Sequence, residues 1–227
     1  MQLNNIGDPF TEGNYTPNTK FMERAVLDYY AWLWHGIAPH SKDNLDSYWG
    51  FLLTMGSTEG NLYAMWNARD YLAGKKVLVS VEAGAGTTVR IPEQGRVNVP
   101  QFVYHSAPLS LADNDNAYSP IAFYSEDTHY SIAKTMVVLG MRIFSAEGSA
   151  NYPGQCPLRG TGGAWPAEVP SDDDGSMNIE SLSILVDFFA SRGHPIIVNF
   201  NYGTTFKGAY DDVEKASQML TPILQKH

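Results

Sequence analysis

An α/β fold with a mostly parallel sheet is what this sequence predicts, on three observations. Short apolar runs at 121–124 and 195–200 read as strands buried on both faces, which need helices to cover them. Stretches with apolar residues at helical spacing accompany them at 130–140 and 179–191, as the crossovers of a parallel sheet require. The chain's 227 residues, 44% hydrophobic and 17% charged, are enough to bury a sizeable core. One large domain over 1–227, or most of one, is expected, with an amino-terminal helical segment over 1–50 and loop-rich excursions at 82–120 and 146–176.

The elements follow in order. Residues 20–37 carry apolar side chains at helical spacing and stop near Pro39, so a helix is expected there. The apolar stretch 50–54 runs into Gly56-Ser-Thr-Glu-Gly, and 61–72 is rich in helix formers up to Gly74. Residues 76–81 read as a buried strand. From 82 to 120, Gly, Pro, Asn and Asp are frequent and periodicity is weak, which predicts an irregular excursion. A strand and helix at 121–140, the run 141–145, a helix at 179–191, a strand at 195–200 and an amphipathic helix at 212–225 complete the alternation.

Charge and cysteine content narrow the function. A formal net charge of −9 without a Lys/Arg cluster argues against nucleic-acid binding and leaves a small molecule as the expected partner. Cys156 is the only cysteine, so neither an intrachain disulfide nor a cysteine-based metal cluster is expected. No basic-then-apolar leader pattern opens the chain and no apolar run reaches membrane-spanning length, so a cytoplasmic protein outside the bilayer is expected.

Three segments carry candidate chemistry. Gly56-Ser-Thr-Glu-Gly-Asn61 opens a helix, where Ser57 and Thr58 place hydroxyls beside unpaired amides, a phosphate-binding arrangement. The bland alternative is that Ser57 or Thr58 only caps the helix. His129 stands where an apolar strand gives way to a helix, so an aromatic, titratable ring would face a ligand at that edge of the sheet; a surface or capping histidine is the alternative. Thr204 and Thr205 follow Gly203 after the strand at 195–200 and could equally be turn residues. Glu126 and Asp127 lack a further ligand at metal spacing, so no metal is expected. Gly84-Ala-Gly86 lacks the third glycine of a dinucleotide fingerprint.

In order along the chain stand Asn4-Asn-Ile-Gly-Asp-Pro9, Gly56-Ser-Thr-Glu-Gly-Asn61, Ser125-Glu-Asp-Thr-His-Tyr-Ser131, and His194-Pro-Ile-Ile-Val198 with Gly203-Thr-Thr205 and Gly208-Ala-Tyr-Asp-Asp212. This series resembles the amino-terminal half of the group II pyridoxal 5'-phosphate (PLP)-dependent amino-acid decarboxylases, most nearly the bacterial PLP-type histidine decarboxylase branch. The resemblance implies part of the fold-type I, aspartate-aminotransferase-like large domain, PLP as cofactor, an L-amino acid as substrate with histidine first, and a homodimer or a complementing chain as partner. It implies that Ser57 and Thr58 bind the cofactor phosphate, that His129 stacks on the pyridine ring and takes part in catalysis, and that Thr204 or Thr205 lies near the ring's polar edge.

The family also uses a Schiff-base lysine in a His-Lys pair and an aspartate on the pyridine nitrogen in a His-Xaa-Asp-Ala strand. Neither motif is present in this sequence: Lys226 precedes His227 in the reverse order, and Lys134 and Lys207 lie in other motifs. The expectation is therefore a chain that needs those residues from a longer or second chain, or else a non-catalytic remnant or split half acting by binding. The strand at 77–81 is expected to lack its usual sheet neighbour, and the exposed sheet edges to favour association.

Overall fold

The computed structural model describes residues 9–10, 19–44, 46–53, 55–74, 77–81, 88–91, 95–98, 101–105 and 114–227. Of the segment 4–9, only Pro9 lies within these. The chain divides into two compact units, 1–60 and 61–227.

In the first unit, α1 (Lys20–Leu33) ends sooner than its apolar spacing suggests. His35 takes a left-handed φ of 59° and the Gly36 amide donates to the Ala31 carbonyl at 2.7 Å, which closes the last turn. Two acidic side chains of α1 hold the segment that follows. Tyr48 donates its hydroxyl to Asp28 at 2.6 Å, and the Leu52 amide donates to Glu23 at 2.8 Å. Partial burial, then the Asp28 carboxylate, raise the Tyr48 phenol well above its ordinary pKa.

Helix α2 (Ser57–Leu72) starts four residues before the expected 61. β1 (Val77–Val81) is followed by β2 (Thr88–Ile91), β3 (Gly95–Asn98) and β4 (Gln101–His105). β1 pairs antiparallel with β4, and β2 with β3. The strand at 77–81 thus pairs with β4, and one expectation is corrected: the stretch 82–120 is not simply irregular. Its glycines and asparagines masked short strands that need only local hairpin-like partners.

The second unit's core lies around a three-stranded parallel sheet. β5 (Ile121–Phe123) leads through α3 (Tyr130–Leu139) to β6 (Arg142–Ile143), α4 (Phe144–Asn151), α5 (Ile179–Ala190), β7 (Ile196–Val198) and α6 (Val213–Lys226). The strand order is β6-β5-β7, and both pairings are parallel. The chain therefore moves from the central β5 to one side and later to the other, so the sheet reverses its order at β5.

Alternation along the strands builds two cores. Ile121 and Phe123 of β5, with Ile196 and Val198 of β7, pack with Leu182, Leu185, Val186 and Phe189 of α5 and with Ala216 and Leu220 of α6. Ala122, Tyr124 and Ile197 point the other way, towards Met65 of α2 and Ile132 and Met136 of α3. Each fully buried Phe or Leu contributes about 2 kcal/mol of transfer free energy. On the α5 side, Gly148 of α4 lies so close to the Trp165 indole that a Cβ would overlap the ring. Trp165 is fixed there by its Nε1 donating to the Tyr152 carbonyl at 2.8 Å.

Local signals delimit these helices. The Asn178 side chain accepts the Ser181 amide at 2.8 Å to open α5, and Asp212 accepts that of Lys215 at 2.9 Å to open α6. Gly140, at φ 60°, ends α3, with the Met141 amide returning to the Met136 carbonyl at 2.9 Å. Helix α4 stands at the start of the expected 146–176 excursion; Gly148 and its small neighbours gave it no apolar period. No helix among the described residues is long and apolar enough to cross a membrane.

Candidate active site

In a parallel sheet that reverses at β5, the crevice for a ligand is at the carboxyl ends of the strands. The segments 125–129 and 199–205 leave β5 and β7 at that end, and one side chain ties them together. Asn201 donates through Nδ2 to Ser125 Oγ at 3.0 Å and to Thr128 Oγ1 at 3.1 Å. Thr128 Oγ1 in turn accepts the Ser125 amide at 3.1 Å, closing the turn. Buried Asp211 then holds the second segment from behind: its carboxylate accepts the Asn201 amide at 2.6 Å and the Met177 amide at 2.7 Å.

His129 leaves this turn exposed to solvent and caps α3. Its Nδ1 accepts the Ser131 amide at 3.2 Å and lies 2.9 Å from Ser131 Oγ. The Tyr130 ring lies beside it, with centroids 4.3 Å apart and the planes at 41°. The capping role weighed for this histidine is thus observed, in a residue that is exposed beyond the carboxyl end of β5.

Thr204 anchors a tight turn: its amide donates to the Ala209 carbonyl at 2.8 Å and its Oγ1 accepts the Ala209 amide at 3.1 Å. Thr205 is exposed and its hydroxyl has no partner among the described residues. The turn reading therefore fits Thr204, while Thr205 keeps its hydroxyl available.

Ser57 and Thr58 occupy the first turn of α2, in the first unit. Neither side chain caps the helix. The Gly56 carbonyl takes the Glu59 amide at 3.1 Å, and the Glu59 carboxylate reaches back to the Met55 amide at 3.2 Å. The amides and hydroxyls of Ser57 and Thr58 have no partner among the described residues, and space is open around Gly56. Two amides and two hydroxyls at a positive helix end suit an anion such as phosphate.

The surroundings are acidic. Partial burial, then neighbouring Glu126, raise the Glu168 carboxyl above its ordinary range, and burial with Glu168 nearby raises the Tyr124 phenol. Asp127 pairs with Lys207 at 3.6 Å. Lys134 lies over the Tyr130 ring at 4.6 Å, and Lys226 lies 4.0 Å from Asp187 at the end of α6. Among the described residues no group of three His, Cys, Asp or Glu side chains is placed to hold a metal ion.

Sequence reasoning passed over Asn201, Asp211, Ser131 and Asn61 as functional. All four stand inside or beside the quoted motifs, but their pairings span up to 76 residues and have no local period.

Comparison with known proteins agrees with these motifs. No family model matches the chain. The histidine decarboxylase of Solanum lycopersicum is 28% identical over 97% of the chain and 35% of its own length. Serine decarboxylase 3 of Oryza sativa subsp. japonica is 28% identical over 97% of the chain and 32% of its own length. The crystal structure of L-methionine decarboxylase from Streptomyces sp. 590 superimposes with a TM-score of 0.77, at 46% identity over 98% of the chain and 39% of that structure. The chain thus spans roughly a third of the length of the curated relatives it matches. Over that span, in sequence and in fold, it is similar to the group II PLP-dependent amino-acid decarboxylases.

Proposed function

We propose that the chain forms part of the PLP-binding domain of an L-amino-acid decarboxylase. The observation that carries this reading is the 46% identity to an L-methionine decarboxylase over 98% of the chain. The free donors at Ser57 and Thr58, and the anchored, exposed ring of His129, support it. PLP, when bound, supplies an electron sink that takes up the electron pair left on the α-carbon as CO2 departs. Ser57 and Thr58 hold the phosphate, His129 faces the ring and fixes its orientation, and Thr205, with Thr204 anchoring its turn, meets the ring's polar edge. Lysine and aspartate motifs outside these residues, from a longer chain or a different complementing chain, complete the chemistry; dimerisation is part of this reading.

L-Methionine is the first substrate to test, since the 46% identical relative acts on it; L-histidine, favoured by motif and by the relatives named histidine decarboxylase, is the second. Titrating the chain with PLP while following cofactor absorbance tests the binding half. Saturable binding weakened about tenfold or more by His129→Ala, and similarly by Ser57→Ala with Thr58→Ala, is expected. Binding that ignores both variants would overturn the assignment. Amine release by the complemented enzyme, compared between the two amino acids, decides the substrate.

A further inference from the structure

A partly buried polar contact joins α2 to the histidine. Asn61 donates through Nδ2 to Ser131 Oγ at 3.2 Å, and Ser131 Oγ lies 2.9 Å from His129 Nδ1. Ser131 is fully buried, so its hydroxyl has little freedom to exchange partners with water. The donors fix its direction. An Asn Nδ2 has only protons to give, so Ser131 Oγ receives there and is left to donate to His129 Nδ1. The Ser131 amide, at 3.2 Å, can also only donate to that nitrogen. Both groups that face Nδ1 are donors, and the ring proton is therefore on Nε2, which has no partner among the described residues.

We infer that Asn61 and Ser131 are positioning residues that hold His129 in one ring orientation and in the neutral, Nε2-protonated tautomer. This rests on the reading of His129 as the cofactor-facing residue. It gives the site a flat, uncharged ring whose one outward polar atom is an N–H donor, with the lone pair of the other nitrogen turned back into the protein. The arrangement parallels that of ligating histidines, where the bond at one nitrogen selects the state of the other.

Nitrogen-15 NMR of the histidine side chains at alkaline pH, assigned through His129→Gln, reads the tautomer directly and without cofactor. The unsubstituted chain is expected to show His129 locked as the Nε2–H form rather than averaged between two forms. Asn61→Asp is the sharper variant. A carboxylate would accept the Ser131 hydroxyl, turn its lone pair towards Nδ1 and shift the tautomer ratio about tenfold towards Nδ1–H; Asn61→Ala, which only frees the hydroxyl, shifts it less. An averaged or Nδ1–H imidazole in the unsubstituted chain overturns the inference, whatever the variants do, and so does an unchanged ratio in folded Asn61→Asp. A locked tautomer in a chain that fails to bind PLP would instead sink the cofactor reading and leave the relay standing.

Discussion

Residues 20–55 and 121–227 are both rich in large apolar side chains, yet among the described residues only the later stretch buries a core of them. In the later stretch Phe123, Phe144 and Phe189 are fully buried, with Phe123 and Phe144 stacked at 5.2 Å. In the earlier one Trp32 and Trp34 are 70% and 73% exposed, and Met55 is 84% exposed. The cause is the supply of partners. β5 and β7 have helices on both faces, whereas among the described residues α1 is held mainly by the segment tied to it through Glu23 and Asp28. A given apolar residue stabilises the chain only to the extent that another element covers it.

The contrast has a direct test. Phe189→Ala or Leu182→Ala should lower unfolding free energy by about 3–5 kcal/mol, read from the denaturant midpoint, while Trp34→Ser should stay within about 0.5 kcal/mol. Comparable losses at both places would mean that the exposed face is covered in solution. Such covering would also make light scattering rise with concentration, as would the two edges of the β6-β5-β7 sheet, which have no strand partner among the described residues.

Asp211 should come next. Asp211→Ala strands two backbone amides behind the Asn201 segment and should cost about 3 kcal/mol, with Asp211→Asn recovering part of it. A neutral result for the alanine variant would remove Asp211 as the support of the site.

Glycines sharpen the comparison at smaller scale. Gly148→Ala drives a methyl into the Trp165 ring and should destabilise by about 1–3 kcal/mol. Gly60→Ala meets nothing within 4 Å on α2 and should stabilise by up to about 1 kcal/mol. Thermal melts of the two variants should move in opposite directions; parallel shifts would contradict the packing at Gly148.

The smallest effect is one of pH. Glu168 has a folded pKa raised by partial burial, then by Glu126, so the native state holds its proton more tightly than the unfolded chain. Its contribution is fully present below the unfolded carboxyl pKa and is lost as pH rises through the higher folded value. Glu168→Gln should therefore flatten the slope of stability against pH in that window and be slightly stabilising near neutrality. A steeper slope in the variant would reverse the assigned direction.

Apart from α4, the alternation of strand and helix from 121 to 226 was legible because caps mark its helices: His129, Gly140, Asn178 and Asp212 act within three or four residues. β2, β3 and β4 were not, since runs of four or five residues among glycines, prolines and asparagines are too short for a period to stand out. The motif residues of the site stood out as types, but not the bonds that orient them, such as the 70 positions between Asn61 and Ser131.

Residue order thus settled the strands and helices of the later half except α4, and where their chemistry-bearing side chains lie along the chain. Those are short-range matters of period, cap and turn. The reversal of the sheet at β5, the clasp of Asn201 on Ser125 and Thr128, and the orientation of His129 came only with the assembled fold. Each joins groups far apart in the chain, and a hydrogen bond has direction only once both ends are in place.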